Sequence, residues 1–337
     1  MKALIVQAPG QLAWVETAEP VLSSAHGALV RPIASASCDL DRRLIAGVTP
    51  FKPPFPLGHE CVAEVLEVGE QVSSVRRGDL VSVPWKIACG TCPQCLAGRA
   101  TACTTVPRHA AYGVPAGGNW GGLFSERVHV PFADAMLVPL PPRLNPLAVA
   151  SASDNLTDAW VAASRPIMAR EKARVLVVGG TESLGVLAVQ MAVAAGADSV
   201  DYLDDNDYRR DLALRSGANV ELQPTLDEGY DVVVSATRDP QALHRGLLAL
   251  APGGHCSCIG IIFEDPKIPL FGMYLRDVTL SVGACNVRPH IPKVFDLVGS
   301  GRCDPLLVSP VIISPEEATD ALLHPLAKCI MVRERIT

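Results

Sequence analysis

The sequence predicts an α/β protein in two parts, an irregular β region followed by a parallel sheet with crossover helices. Residues 1–150 are rich in Pro and Gly and contain many short β-branched runs, which is typical of a mostly antiparallel β domain. From about residue 146 onward, helical and strand patterns alternate, which predicts parallel strands joined by helices. The 337 residues are also enough for two domains of roughly 150 residues each.

Short apolar runs bounded by turn residues predict the strands of the first part. ALIV, GALVRPI, CVAEVLEVG and DLVSVPW are such runs, and no long helical period interrupts them. The Ala-rich stretch PLAVASASDNLTDAWVAAS at 146–164 is apolar and predicts a helix between the two parts.

Strands and helices then alternate to about residue 261. Gly196 and Gly217 each end a predicted helix. The predicted strands cover 174–179, 199–203, 231–236 and 255–261. The predicted helices cover 183–196, 207–217 and 240–250. The last fifty or so residues return to mixed, Pro-punctuated structure.

Composition excludes several classes of partner. Hydrophobic residues make up 49% and charged residues 19%, so the chain can bury substantial cores. A net charge of −6 without a basic cluster argues against nucleic-acid binding. The sequence contains no apolar run of about 18 residues and no signal-peptide pattern, so we expect no membrane partner and a cytoplasmic location. The eleven cysteines should then be reduced or metal-bound.

The stretch RVLVVGGTESLG predicts a nucleotide site where a buried strand meets a helix. Gly180 and Gly185 have the outer spacing of G-x-G-x-x-G, and the backbone of Gly180, Ser183, Leu184 and Gly185 would face the pyrophosphate of a dinucleotide. Glu182 occupies the place of the middle glycine and should repel the pyrophosphate unless its side chain points away. An ordinary strand–helix turn is the alternative.

Asp204 lies about 20 residues after Gly185, at the end of the next predicted strand, where an acid accepts hydrogen bonds from the adenosine ribose. Asp205 follows it, and Arg209 is the nearest cation along the sequence. A 2′-phosphate would face two carboxylates, so the pattern favours NAD over NADP. The alternative for Asp204 is that it caps the following helix.

Four cysteines with the spacing C-x2-C-x2-C-x7-C predict a structural metal site. They are Cys89, Cys92, Cys95 and Cys103, within a lobe at 86–105. Four thiolates around one point are a closed structural zinc set. Disulfides and an iron–sulfur cluster are the alternatives.

This quartet, GHECVAEVLEVG (58–69), RRGDLVSV (76–83) and the nucleotide half together resemble the zinc-dependent alcohol dehydrogenases of the medium-chain dehydrogenase/reductase superfamily, in the formaldehyde- and threonine-dehydrogenase-like branch. The resemblance runs from KALIVQAPG to AKCIMVRE. It implies a GroES-like catalytic domain formed by residues 1–150 and 285–337, with a Rossmann domain at 151–284 between them.

The resemblance also implies a catalytic zinc. Cys38, His59 and Asp154 match its protein ligands, and the fourth position stays open for water or substrate. Glu60 matches a carboxylate near the metal. Plainer roles remain open: a buried small residue for Cys38, a structural role for His59, a helix cap for Asp154 and a supporting role for Glu60.

The implied activity is reversible hydride transfer between an alcohol and NAD, giving an aldehyde or ketone, with two zinc ions per chain and a homodimer or homotetramer as the assembly. Zinc would lower the pKa of the alcohol, and the nicotinamide would take the hydride. The substrate would be a small alcohol or aldehyde. Two alternatives are an NADPH-dependent aldehyde or alkene reductase of a biosynthetic pathway and a catalytically weak nucleotide-binding relative.

The sequence departs from the family pattern at three places. Leu40 stands where a Ser or Thr usually starts a proton relay, so Asp41, Glu60 or water would have to carry the proton. Asp39 stands where a basic residue often helps hold the pyrophosphate, and Arg43 stands where a histidine base sometimes lies. Arg43 or Arg288 would supply the missing cation.

Overall fold

The structure is a computed structural model, and it describes residues 1–220, 229–324 and 327–334. The chain divides into two compact units. The first comprises Met1–Asp154, Cys285–Asp296 and Ser309–Thr337, and the second comprises Asn155–Ala284 and Leu297–Val308. The predicted α/β class, with a GroES-like part and a Rossmann part, is confirmed by the fold. The predicted domain limits at 150 and 285 stay a prediction. In the structure, the segment Leu297–Val308 packs with the second unit.

Before residue 155 the chain consists mainly of short strands joined by turns. The strands are β1 (Lys2–Ala8), β2 (Gln11–Glu16), β3 (Ala28–Ala36), β4 (Phe55–Pro56), β5 (Glu60–Val68), β6 (Leu80–Ser82), β7 (Val128–Val130) and β8 (Val138–Pro139). Three short helices lie among them: α1 (Asp41–Ala46), α2 (Pro93–Leu96) and α3 (Ala133–Met136). Strands β2, β1 and β4 form a small antiparallel sheet.

The second unit alternates helices and strands. The helices are α4 (Asn155–Met168), α5 (Leu184–Ala195), α6 (Asp207–Arg215), α7 (Pro240–Leu248) and α8 (Leu270–Leu275). The strands are β9 (Arg174–Val178), β10 (Ser199–Leu203), β11 (Asn219–Val220), β12 (Tyr230–Ser235), β13 (Leu250–Cys258) and β14 (Thr279–Val282). They form one parallel sheet in the order β11-β10-β9-β12-β13-β14.

The helix limits in this unit follow from local chemistry. Helix α5 is apolar on nearly all sides and is therefore buried against the sheet. Gly196 ends it in the left-handed conformation, at a φ of +89°, which glycine adopts without a steric penalty. Helix α7 begins where the Asp239 side chain accepts from Gln241 N and Ala242 N, with Pro240 at the first helical position.

The sheet order reverses between β9 and β12, and this reversal defines where a ligand can bind. Successive strands run outward from β9 to β11, and the chain then returns to add β12, β13 and β14 on the other side. In such sheets the crevice outside the carboxyl ends of the two central strands is the usual ligand site.

After residue 284 the chain forms α9 (Ile291–Gly299), β15 (Val311–Ile313), α10 (Ala318–Leu323) and β16 (Cys329–Val332). Strand β16 lies between β15 and β3 in a seven-stranded sheet of order β15-β16-β3-β5-β6-β8, and β7 also pairs with β3. Both ends of the chain therefore build the first unit. Among the described residues, no helix is long and apolar enough to cross a membrane.

Candidate metal and nucleotide sites

The three predicted zinc ligands lie together in the first unit. Cys38 follows β3 and His59 immediately precedes β5, and these strands pair so that Ala36 is opposite Glu60. Asp154 Oδ2 is 3.5 Å from Cys38 Sγ and 3.5 Å from His59 Nε2. One donor atom from each of the three ligands lies within 4.8 Å of the other two.

The carboxylate of Asp154 is positioned by hydrogen bonds that anchor the turn before it. Asp154 ends a 3₁₀ turn at Ala150–Ser153. Cys61 N donates to Ser153 Oγ at 3.0 Å and Trp85 N donates to Ser153 O at 3.4 Å, so the turn is tied to β5 and to the segment after β6. This connection explains how a residue about a hundred positions along the chain reaches the other two ligands.

The donor set fits zinc. Zinc bonds to sulfur, nitrogen and oxygen are about 2.0–2.3 Å long, so donors at tetrahedral angles are about 3.3–3.8 Å apart. The two separations of 3.5 Å fall in that range. A thiolate, an imidazole and a carboxylate leave one tetrahedral position for a fourth ligand.

The carboxylate of Asp41 contacts two of these ligands and positions them. Its Oδ2 accepts from Cys38 N at 2.8 Å, and its Oδ1 lies 3.5 Å from His59 Nδ1. It is 1% exposed at the start of α1. With Nδ1 of the imidazole facing a carboxylate, Nε2 is directed toward Asp154, an arrangement that orients histidine ligands in metal sites.

Glu60 forms a buried ion pair that the sequence did not reveal. Its Oε2 is 2.6 Å from Lys328 Nζ, and the two side chains are 0% and 1% exposed. Lys328 Nζ also donates to the carbonyl oxygen of Ser37, next to Cys38. Burial lowers the pKa of Lys328, but the nearby Glu60, Cys38 and Asp39 together raise it overall. In the sequence, Lys328 is an isolated lysine before the apolar strand β16, and nothing around it predicted this ion pair.

The site carries an excess of acidic groups. Burial and then Asp154, Glu60 and Asp41 raise the pKa of the Cys38 thiol well above its ordinary value. Burial lowers the pKa of His59, yet Asp41 and the other carboxylates raise it to about 9. A divalent cation would compensate this negative charge and displace both protons, as metal binding generally does.

The cysteine quartet is also assembled in the first unit. Sulfur–sulfur separations are 4.0 Å for Cys89–Cys95, 3.9 Å for Cys92–Cys103 and 3.6 Å for Cys89–Cys103. Four sulfurs about 2.3 Å from one zinc would be about 3.8 Å apart, whereas a disulfide requires about 2.05 Å. The eleven cysteines all lie in the described part of the chain and none forms a disulfide, which argues against the disulfide alternative.

Hydrogen-bond donors favour the thiolate form at two of the four cysteines, whereas burial raises the pKa of Cys95 to about 12. A backbone hydrogen bond from Thr104 lowers the pKa of Cys92 to about 5. Burial raises the pKa of Cys89, but hydrogen bonds from Thr105, Thr91 and Cys92 bring it down to about 7. These two cysteines are poised to bind a metal near neutral pH.

In the second unit, a cleft of about 480 Å³ opens at the carboxyl ends of β9, β10 and β12. Gly179 and Gly180 line it after β9, Asp204 and Asp205 after β10, and Thr237, Arg238 and Asp239 after β12, with Arg209 and Arg245 from the helices. Gly180 has a φ of +118°, and a Cβ there would lie 2.9 Å from Thr237 Oγ1. The turn therefore needs glycine at this position.

Asp204 lies in this cleft but is already engaged by protein donors. Arg209 donates to it through Nε and Nη2, both at 2.7 Å, and Tyr202 OH donates at 2.7 Å. Gly180 N and Asn206 N donate at 3.0 and 2.9 Å. These five donors meet the roughly four lone-pair sites of a carboxylate, so a direct bond to a ribose would have to displace one of them. The cap of α6 is Asn206, not Asp204.

The Glu182 carboxylate turns toward Arg238, with which it forms an ion pair. This pairing compensates the charge that the sequence placed in the phosphate-binding turn. Arg238 and Arg245 line the same cleft and were missed, because along the sequence both lie far from the glycine-rich turn.

The remaining predicted cofactor residues are distributed over both units. Ser183 is the N-cap position of α5, Leu184 begins the helix, and Gly185 N donates to Thr181 Oγ1 at 3.3 Å. Arg288 belongs to the first unit, where its Nη2 donates to Asp134 O at 3.2 Å. Its role toward a cofactor stays a prediction.

Comparison with known proteins identifies the class to which this fold and these sites belong. Residues 24–142 match the alcohol dehydrogenase GroES-like domain family, and residues 183–300 match the zinc-binding dehydrogenase family. A probable zinc-binding alcohol dehydrogenase of Mycobacterium tuberculosis is 29% identical over 313 residues, covering 90% of this chain and 80% of the relative.

Two solved structures are similar over nearly the whole chain. Alcohol dehydrogenase TADH from Thermus sp. ATN1 has a TM-score of 0.90 and 30% identity, covering 98% of this chain and 99% of that one. A putative zinc-binding dehydrogenase from Sinorhizobium meliloti 1021, bound to NADP, has a TM-score of 0.80 and 26% identity, with the same coverage.

The class is thus that of oxidoreductases that act on CH–OH groups with zinc and a nicotinamide cofactor. Within it, the chain belongs to the zinc-dependent alcohol dehydrogenase family, and the resemblance drawn from its motifs is confirmed.

Proposed function

We propose that this alcohol dehydrogenase holds two zinc ions per chain, one at Cys38, His59 and Asp154 and one at the cysteine quartet, and that it uses NAD in preference to NADP. The observation that carries the proposal is the convergence of three chemically different donors, from distant parts of the sequence, within 4.8 Å. Its substrate is a small alcohol, oxidised reversibly to an aldehyde or ketone.

Zinc bound by these three residues would supply the Lewis acidity that polarises the oxygen of the alcohol. The chain's own residues hold the donors in place. Asp41 fixes the backbone of Cys38 and the ring of His59, and Lys328 holds Glu60 behind the ligands. Asp41 therefore acts as a positioning residue.

The proton of the alcohol leaves through water in this proposal. Leu40 offers neither a donor nor an acceptor at the usual relay position. Asp41 and Glu60 are 1% and 0% exposed, and their carboxylates are bonded to the ligand backbone and to Lys328. Neither carboxylate has the solvent contact that a relay to bulk water requires.

The charge balance of the cleft supports NAD. Arg209 is paired with Asp204 and Arg238 with Glu182, so a 2′-phosphate would have to compete with a carboxylate for either guanidinium. The presence of three arginines in the cleft is the observation that favours the alternative, an NADPH-dependent reductase, and direct comparison of the two cofactors decides between them.

We also propose a homodimer formed through the outer edge of the parallel sheet. Strand β14 ends the sheet, and within the described part of the chain no strand pairs with its outer edge. Large apolar side chains are exposed on β14 and on α8, the helix that precedes it: Val282 (73%), Phe271 (75%) and Tyr274 (81%). An open edge with exposed apolar residues favours self-association, and pairing about a two-fold axis would cover this edge in both copies. Light scattering should show a homodimer for the wild type and a monomer for Val282→Lys.

The compartment we propose remains the cytoplasm, because eleven described cysteines without a disulfide among them suit a reducing environment.

Metal analysis combined with NAD reduction over a panel of alcohols tests the two-zinc proposal. Wild-type protein should contain two zinc ions per chain, and Asp154→Ala should lose one zinc together with the activity. Glu67→Ala, on the exposed part of β5, is the matched control and should keep both. If Asp154→Ala keeps two zinc ions and full activity, Asp154 is not a ligand. A single zinc in the wild type, released only on unfolding, would leave the catalytically weak alternative.

A further inference from the structure

We propose that Glu182 determines cofactor choice, because it holds Arg238 in an ion pair that a 2′-phosphate would have to break. The inference rests on the proposed function and specifies which residue of the nucleotide cleft discriminates NADP from NAD. Glu182, which occupies the place of the middle glycine, would thus contribute to cofactor specificity.

The ion pair lies at the point where the sheet order reverses. Glu182 belongs to the turn between β9 and α5, and Arg238 follows β12, the neighbouring strand, in which Ser235 pairs with Val178. The two side chains are 24% and 18% exposed, so both are largely shielded from solvent. Their contact therefore connects the phosphate-binding turn to the opposite wall of the cleft.

The inner guanidinium groups of the cleft are both matched with carboxylates. Arg209 binds Asp204 through two nitrogens, at 2.7 Å each, and lies 3.7 Å from Asp205. Arg238 binds Glu182. Arg245 lines the cleft from an exposed position on α7.

A phosphomonoester carries nearly two negative charges at neutral pH, whereas a ribose hydroxyl carries none. Because the hydroxyl is uncharged, it does not compete with a carboxylate for either guanidinium. A phosphate at the same place gains little from a guanidinium that is already neutralised, and it is repelled by the partner carboxylate. The two pairs thus exclude the extra phosphate by charge rather than by size.

Of the two pairs, the one with Glu182 can be broken with the smaller structural effect. Asp204 is 0% exposed at its side chain and holds the glycine turn through Gly180 N, so its loss would disturb the turn itself. Glu182→Gln keeps the shape of the side chain and removes only its charge. The positive charge of Arg238 would then no longer be neutralised by Glu182, which favours a 2′-phosphate.

Isothermal titration with 5′-AMP and 2′,5′-ADP measures the discrimination without any need for catalysis, and NAD and NADP repeat it with whole cofactors. Wild-type protein should bind 5′-AMP more tightly than 2′,5′-ADP. Glu182→Gln should strengthen binding of 2′,5′-ADP and NADP by about 10-fold or more, as expected for a hydrogen-bonded charge pair, and change 5′-AMP and NAD by less than about 3-fold.

A double-mutant cycle with Arg238→Gln separates the proposed cause from a general change in charge. In the Arg238→Gln background, Glu182→Gln should improve binding of the 2′-phosphate much less than in the wild-type background, because only the repulsion by the carboxylate is then removed. Asp211→Asn, on the exposed face of α6, is the matched charge control and should change neither affinity. Circular dichroism melting confirms that each variant is folded.

Two outcomes overturn the inference. One is wild-type protein that binds 2′,5′-ADP at least as tightly as 5′-AMP, a measurement that does not depend on any variant. The other is a Glu182→Gln variant in which binding of the 2′-phosphate does not improve, or improves just as much when Arg238 is also replaced. If wild-type protein binds none of the four nucleotides, the proposed function fails instead.

Discussion

Replacing Lys328 by Met should destabilise the first unit by about 3–5 kcal/mol, the usual cost of removing one partner of a buried ion pair. Lys328 and Glu60 are 1% and 0% exposed, with Nζ and Oε2 2.6 Å apart. Met has nearly the length of the lysine stem, so little volume is lost. The cost comes mainly from a buried carboxylate deprived of its cation and from the lost hydrogen bond to Ser37 O.

Equilibrium unfolding in urea measures this loss, and thermal melting should show a decrease of about 6–20 °C, at about 2–4 °C per kcal/mol for a unit of this size. Glu60→Gln added to Lys328→Met removes the unpaired charge and should restore at least half of the lost stability. A loss below about 1 kcal/mol in Lys328→Met, or a double variant no more stable than the single one, would refute the reasoning.

Three further predictions concern other parts of the chain. Cys92→Ser should remove one zinc per chain and make the 86–105 lobe sensitive to trypsin, measured by metal analysis and limited proteolysis; an unchanged zinc content would contradict it. Gly260→Ala should destabilise the second unit by about 1–3 kcal/mol, because its Cβ would lie 1.9 Å from Thr237 O, whereas Gly283→Ala, with open space around it, should not. Burial raises the pKa of Asp134, but hydrogen bonds from Ser74 and Ser73 lower it to about 2. A folded-state pKa below the unfolded value stabilises above that value, so Asp134→Asn should be less stable than wild type at pH 7. That difference should vanish as the pH falls from about 4 to about 2, in urea unfolding at each pH; a gap that persists at pH 2 would contradict it.

Sequence patterns predicted the centre of the second unit well, because its two central strands are buried on both faces. Strands β9 and β12 are continuous apolar runs, and glycines end α5 and α6 where the pattern indicated. Local periodicity carries that information directly. The cysteine quartet was equally visible, since its ligands lie within one short segment.

The details of both sites depend on contacts between distant residues, which spacing does not reveal. The family resemblance, and not periodicity, selected Cys38, His59 and Asp154. Lys328 was missed because a lysine near the end of a chain is ordinarily a surface residue. Arg238 was missed because its partner, Glu182, lies 56 positions away.

Because β16 pairs with β3, the sheet that contains both strands can be completed only after the parallel sheet has been translated. At the usual 5–20 residues per second, the ribosome needs about 15–60 s to pass from one strand to the other, and the entire parallel sheet is translated in between. Throughout that interval the nascent first unit can assemble its cysteine lobe, but it must keep one stretch of a central strand unpaired and a buried glutamate without its lysine. Ribosome-associated chaperones are therefore expected to matter more for this N-terminal region than for the nucleotide-binding half.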